Sequence, residues 1–143
     1  MNGHTAFTTQ GFALASQVLT AAECESAGVR LAGLSADSAG TRCLLSEAWC
    51  QALAATVRGN PSVAQWVPAD FAAVQCTYFE KSMSRNWLVP VHQDLSIPVA
   101  ARVAHAGLSG WSEKEGSLYV QPPVELLEQL VAVRLHIDAC STS

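Results

Sequence analysis

Near residue 70 the apolar side chains change their repeat, and this change constrains the fold more than any other feature. Upstream, the spacing is helical. Thr20 and Glu23 stand as a capping box, and Cys24, Ala27, Leu31 and Leu34 then recur on one face, which predicts a helix from Ala21 to Leu34. Ser46 is placed to cap a second helix with the stripe Trp49, Leu53 and Val57, stopped by Gly59-Asn60-Pro61. Both helices read as packing scaffold. Ser62 to Trp66 predicts a short helical turn that ends before Pro68.

Downstream, β-branched and aromatic residues dominate. Phe71 to Phe79 reads as a strand with Val74, Cys76 and Tyr78 on one face. Val89 to Val99 is a second extended run, which Pro90 and Pro98 confine to an edge, a bulge or a pair of short strands. Gly107, Gly110 and Gly116 make Arg102 to Gln121 read as a loop covering a pocket. Pro123 to Gln129 predicts one helical turn, and Leu130 to Asp138 alternates: Val131, Val133, Leu135 and Ile137 face one side, with Arg134, His136 and Asp138 on the other. That polar side faces either solvent or the interior of a barrel. The expectation is an α+β fold in one domain spanning residues 1–143, helical over about 1–68 and β over about 71–143. A chain of 143 residues, half of them apolar, is long enough to bury a core in this way.

Charge narrows the partners. The net charge is −4 and the eight Lys and Arg are scattered, so no basic stripe tracks a phosphate backbone, and nucleic acid is not expected. Apolar runs are broken well before a membrane span, and no basic segment followed by a hydrophobic stretch opens the chain, so we expect a cytoplasmic protein without a membrane partner. The five cysteines form no CxxC pair and are expected as free thiols in a reducing compartment.

The chemistry-bearing residues are His92 and Asp94. In an extended backbone, side chains two apart share a face and stand about 6.6 Å apart along the chain, so both can reach one ion while Gln93 points away. An imidazole and a carboxylate, completed by a second histidine, form the facial set that holds non-haem Fe(II) and leaves positions open. The plain alternative is a hydrogen-bonded histidine beside a solvated aspartate. His136 and Asp138 form a second pair of the same spacing and a rival for the metal. Arg134 either bridges to Asp138 or faces the pocket, while His4 and His105 read as solvated, and the four tryptophans as packing residues.

Taken in order, several segments resemble the phytanoyl-CoA dioxygenase family, in particular its bacterial members. They are Cys76-Thr77-Tyr78-Phe79-Glu80-Lys81-Ser82, Asn86-Trp87, His92-Gln93-Asp94-Leu95, Gly110-Trp111-Ser112-Glu113-Lys114-Glu115-Gly116, Val120-Gln121-Pro122-Pro123 and Arg134-Leu135-His136-Ile137-Asp138. The resemblance runs from about Gly11 to the last residue and is most specific between Gln75 and Asp138. It implies N-terminal helices packed on part of a double-stranded β-helix of jelly-roll, cupin-like type, with Fe(II) as the metal and 2-oxoglutarate as a co-substrate decarboxylated to succinate. Dioxygen and a small organic molecule would be the other reactants.

Carried over by motif, His92 and Asp94 are the first two iron ligands. Lys81, Asn86 and Trp87 fall in the region that helps form the co-substrate pocket, and Tyr78, Arg134 and His136 become pocket-lining or supporting groups. The family pattern then continues into an Asn-Gly turn, a strand, a Pro-Gly-Ser-His motif with the third ligand, and a basic residue for the co-substrate. The sequence ends at Ser143 before these, so the resemblance implies that a missing C-terminal half or a second chain completes the barrel. The leading expectation is an Fe(II)- and 2-oxoglutarate-dependent hydroxylase module, incomplete as this chain. Its alternative is a non-catalytic remnant serving as a binding or assembly partner. A third reading is a cupin-like metal protein using His92, Asp94 and His136.

Overall fold

Thr20 opens the best-specified helix. In the computed structural model, which describes residues 3–34, 40–81, 88, 90 and 92–138, with the side chains of 3–6 excepted, its hydroxyl accepts from the Glu23 backbone N–H at 3.2 Å. The Glu23 carboxylate in turn accepts from the Thr20 N–H at 2.7 Å and from its hydroxyl at 2.8 Å. These bonds to the charged form hold the Glu23 carboxyl below its usual range. The resulting helix α2 (Ala21–Ala32) buries Ala27 and Leu31 and closes at Gly33, so Leu34 is left outside it and exposed. A preceding helix, α1 (Gly3–Gln10), was not expected, since Phe7 gives it no apolar stripe; it brings the Phe7 ring within 6.1 Å of Trp66.

Helix α3 (Ala48–Gly59) follows a 3-10 turn at Leu44–Ser46 and buries Cys50 and Val57. Its expected cap is corrected: Ser46 donates its hydroxyl to the Cys43 carbonyl at 2.7 Å and so serves the preceding turn, while Glu47 occupies the cap position without a side-chain bond. Asn60 caps the short α4 (Pro61–Ala64), accepting from the Ser62 N–H at 2.9 Å, with Pro61 in the first turn where its missing N–H does no harm. Its amide also donates to the Val18 carbonyl at 3.1 Å, tying α4 to the bend that precedes α2.

Two small antiparallel sheets form the β part. β1 (Gly40–Thr41) pairs with β2 (Tyr78–Phe79), Gly40 opposite Phe79 and Thr41 opposite Tyr78. Of the expected strand from Phe71 to Phe79, only this end is laddered, with Cys76 bridging to Cys43. The second sheet has the order β3-β5-β4, formed by β3 (Ile97–Val99), β4 (Ser109–Lys114) and β5 (Ser117–Gln121). Pro98 lies in its edge strand, as a proline in a sheet should.

The expected loop from Arg102 to Gln121 is therefore a correction: most of it is a hairpin. Glu115 and Gly116 adopt φ of 51° and 75°, the left-handed pair that a two-residue type I′ turn needs, and Lys114 pairs with Ser117 across it. Gly110 lies where the register shifts between Ser109 and Ser112. The glycines that read as loop residues are the turn and bulge of a strand pair, whose apolar residues Tyr119 and Val120 are buried. A short helix, α5 (Val124–Leu127), follows.

Leu130 to Asp138 is the second correction, since the structure gives it no strand. Leu135 and Ile137 are half-buried and Arg134, His136 and Asp138 exposed, so sidedness survives there, but Val133 is exposed against expectation. Alternation specifies faces; a strand also needs a neighbour to pair with. Ile137 packs on the main core of Leu31, Leu44 and Cys50, together with Leu45, Trp49, Cys76 and Tyr78. The architecture is thus mixed helix and strand with small antiparallel sheets, compatible with α+β. Cys24, Cys43, Cys50 and Cys76 are free thiols, and no helix among the described residues is long and apolar enough to cross a membrane.

Candidate metal centre

His92 and Asp94 precede β3 in a segment without regular structure, so their convergence comes from local bonding and not from a strand. The His92 Nδ1 lies 2.8 Å from the Pro90 carbonyl oxygen. A carbonyl only accepts, so Nδ1 carries the proton and donates, which leaves the other ring nitrogen, Nε2, as the one able to bind a metal. Nε2 stands 3.8 Å from the Asp94 Oδ1. Neighbouring donors around a six-coordinate ion with bonds near 2.1 Å are about 3 Å apart, so a small rotation of either side chain would bring both onto one ion. Side-chain exposures of 54% for His92 and 97% for Asp94 leave room for that rotation. The donor set, imidazole nitrogen plus carboxylate oxygen, fits Fe(II), with two of the three protein donors that a facial set takes.

No group of three His, Cys, Asp or Glu able to hold a metal is formed among the described residues. His136 therefore does not join His92 and Asp94, and the cupin-like reading with those three ligands fails there. His136 and Arg134 are exposed on the segment that was expected as a strand. Tyr78 sits in β2 against the helical core. Lys81 is exposed just beyond β2. Asn86 and Trp87 lie outside the described residues. Comparison with family models, curated proteins and solved structures finds no match.

The structure also shows polar residues that the sequence did not single out. The Lys114 ammonium donates to the Ser96 hydroxyl at 3.1 Å and lies 4.6 Å from the centre of the Tyr119 ring. The Arg102 guanidinium lies 4.9 Å from the centre of the Trp111 ring. Glu115, at the hairpin turn, accepts from the Thr41 hydroxyl at 2.7 Å, from the Arg42 N–H at 2.9 Å and from the Arg42 guanidinium at 2.9 Å. This carboxylate clasps the end of β1 to the β4–β5 turn. Only the bonding partners, 73 and 74 residues distant in sequence, reveal it.

Those bonds, the Thr41 hydroxyl first and the Arg42 N–H second, pull the Glu115 pKa from 4.5 down to about 2. A carboxyl whose pKa is lower in the folded state stabilises the fold above its unfolded value, and that contribution is lost as pH falls towards the folded value. Glu115→Gln should thus lower stability at neutral pH by about 1 kcal/mol, a figure reduced for the partial solvent exposure of the ion pair. The difference between wild type and variant should shrink below pH 4.5 and be lost only as pH falls through and below about 2. Urea melts of both proteins across that range measure it.

Proposed function

We propose that this chain is a module of an Fe(II)- and 2-oxoglutarate-dependent dioxygenase with a jelly-roll, cupin-like β fold, acting in the cytoplasm on a small organic molecule. The observation that carries this is the paired geometry before β3: a histidine ring oriented by a backbone carbonyl, with its ligating nitrogen 3.8 Å from a carboxylate oxygen. The ordered segments resembling the phytanoyl-CoA dioxygenase family support it.

Bound there with 2-oxoglutarate, ferrous ion would supply dioxygen activation, so that one oxygen atom enters succinate and the other a C–H bond of the substrate. The residues of the chain do the holding. His92 offers Nε2 because Nδ1–H is engaged by Pro90, which fixes both the tautomer and the plane of the ring. Asp94 brings the negative charge that favours a divalent cation over water alone. A third protein donor, from outside the described residues, would complete the facial set.

Once the set is completed by the missing half supplied with the chain, oxygen- and Fe(II)-dependent formation of succinate from 2-oxoglutarate, lost in His92→Ala and Asp94→Ala, is the expected result. One observation favours a second reading, a non-catalytic binding or assembly partner: among the described residues no third donor stands beside the pair. Metal binding that depends on His92 with no succinate formed would leave that second reading. Metal binding no tighter than in the two variants would remove the iron proposal altogether.

A further inference from the structure

We infer that Lys114 is a positioning residue for the segment that carries Asp94, acting through its bond to Ser96; the importance of this segment rests on the metal-binding role proposed for His92 and Asp94. Ser96 is two residues beyond Asp94 and one before β3. His92 to Ser96 has no regular structure, and the His92–Pro90 bond is local to the segment. Among the described residues, the bond from Lys114 to the Ser96 hydroxyl is the side-chain hydrogen bond that joins the segment to the rest of the fold.

Lys114 is well built for that task. It is the last residue of β4, paired with Ser117 across the hairpin turn, so its backbone is fixed by the β4–β5 ladder. Its ammonium rests 4.6 Å from the centre of the Tyr119 ring, and Tyr119 is buried in β5. A cation over an aromatic face loses little freedom when it also donates to a hydroxyl, so the four-carbon stem becomes a strut instead of a loose chain. The hydrogen bond then passes the rigidity of the hairpin to Ser96, at the mouth of the segment, and limits how far Asp94 swings from His92. The contact with the Tyr119 ring alone would explain why the Lys114 ammonium lies where it does. It would not explain an effect of removing only the Ser96 hydroxyl, and on this the two accounts part.

The test uses the full chain in three variants, Lys114→Met, Ser96→Ala and the double substitution, with Lys114→Arg as the conservative control. Backbone amide order parameters of residues 94–96, measured without metal, should fall from the rigid range near 0.85 towards 0.6 in both single variants, while those of β4 and β5 stay unchanged. Mn(II), as the probe for the metal site, should bind about three- to tenfold more weakly in each. The double variant should be no worse than either single one, because both remove the same bond. Lys114→Arg should retain most of the wild-type behaviour, since it keeps a donor over the ring. Unchanged order parameters in Ser96→Ala would overturn the inference, as would loosening of the whole hairpin in Lys114→Met with Ser96→Ala silent. If the order parameters fall as expected but Mn(II) binds equally well to wild type and His92→Ala, the positioning bond stands and the iron proposal falls.

Discussion

His92→Ala and Asp94→Ala should each lower Mn(II) or Fe(II) affinity by more than a hundredfold, measured anaerobically by calorimetry or by the loss of the free Mn(II) resonance signal. Loss of a group that only orients a ligand typically costs ten- to a hundredfold, and each of these substitutions removes a ligand itself. The site has two protein donors among the described residues, so one deletion leaves a metal held by a single side chain and water. Asp94→Asn keeps the shape and removes the charge, and should fall between wild type and alanine. Gln93→Ala is the internal control: an exposed side chain outside the donor pair should leave affinity unchanged. Were His136→Ala to abolish binding while His92→Ala left it unchanged, the metal would have to be assigned to the His136 and Asp138 pair instead.

A second large effect is expected at Gly40→Ala. Gly40 has φ of 137°, in the range that side chains rarely adopt, and a Cβ built there would stand 1.9 Å from the Tyr78 carbonyl oxygen and 2.8 Å from its carbonyl carbon. Both are backbone atoms, so relief requires separating β1 from β2. We expect a loss of about 3 kcal/mol or more, equivalent to a fall in Tm of roughly 10 °C for a domain of this size. Gly116→Ala isolates the conformational part of this effect. Its φ is 75° and a Cβ there meets nothing within 4 Å, so that substitution should cost only about 1 kcal/mol. Equal destabilisation by the two would show that contact with Tyr78 contributes nothing.

Helices were the most legible part of the chain, because their signals are local. The Thr20–Glu23 box and the Ala27–Leu31 spacing lie within twelve residues, and α2 follows from them almost to its last residue. Ser46 misled because a hydroxyl can serve either the helix that follows or the turn that precedes, and here it bonds to the Cys43 carbonyl. The hairpin was hidden by its own chemistry. Glu115-Gly116 lacks the Asn or Asp that marks a type I′ turn, and Ser109–Lys114 has no β-branched residue, so glycine content dominated the reading. Leu130 to Asp138 failed in the opposite direction, with a clear alternation but no strand ladder formed with another of the described residues.

At the candidate site, the pairing of His92 with Asp94 could be read from spacing, although a strand was the wrong reason for it. The tautomer-fixing bond to Pro90 could not, since it depends on a carbonyl direction that spacing does not encode. The strut from Lys114 and the clasp of Glu115 join residues 18 and more than 70 positions apart. Such pairs follow from the placement of the sheets, which local sequence signals leave undetermined.

The Cys50 sulfur has a practical consequence. It is 2% exposed at the junction of α2, α3 and the Leu44 turn, and burial, reinforced by the neighbouring Cys76 thiol, pushes its pKa up to about 12. Only a thiolate attacks a disulfide reagent at a useful rate, so in the folded molecule this group is both shielded and unreactive. Its labelling by an aromatic disulfide therefore has to wait until the helices part. In a variant with Cys24, Cys43, Cys76 and Cys140 replaced by serine, the remaining reaction would act as a clock for how often the protein comes open, without any denaturant in the tube.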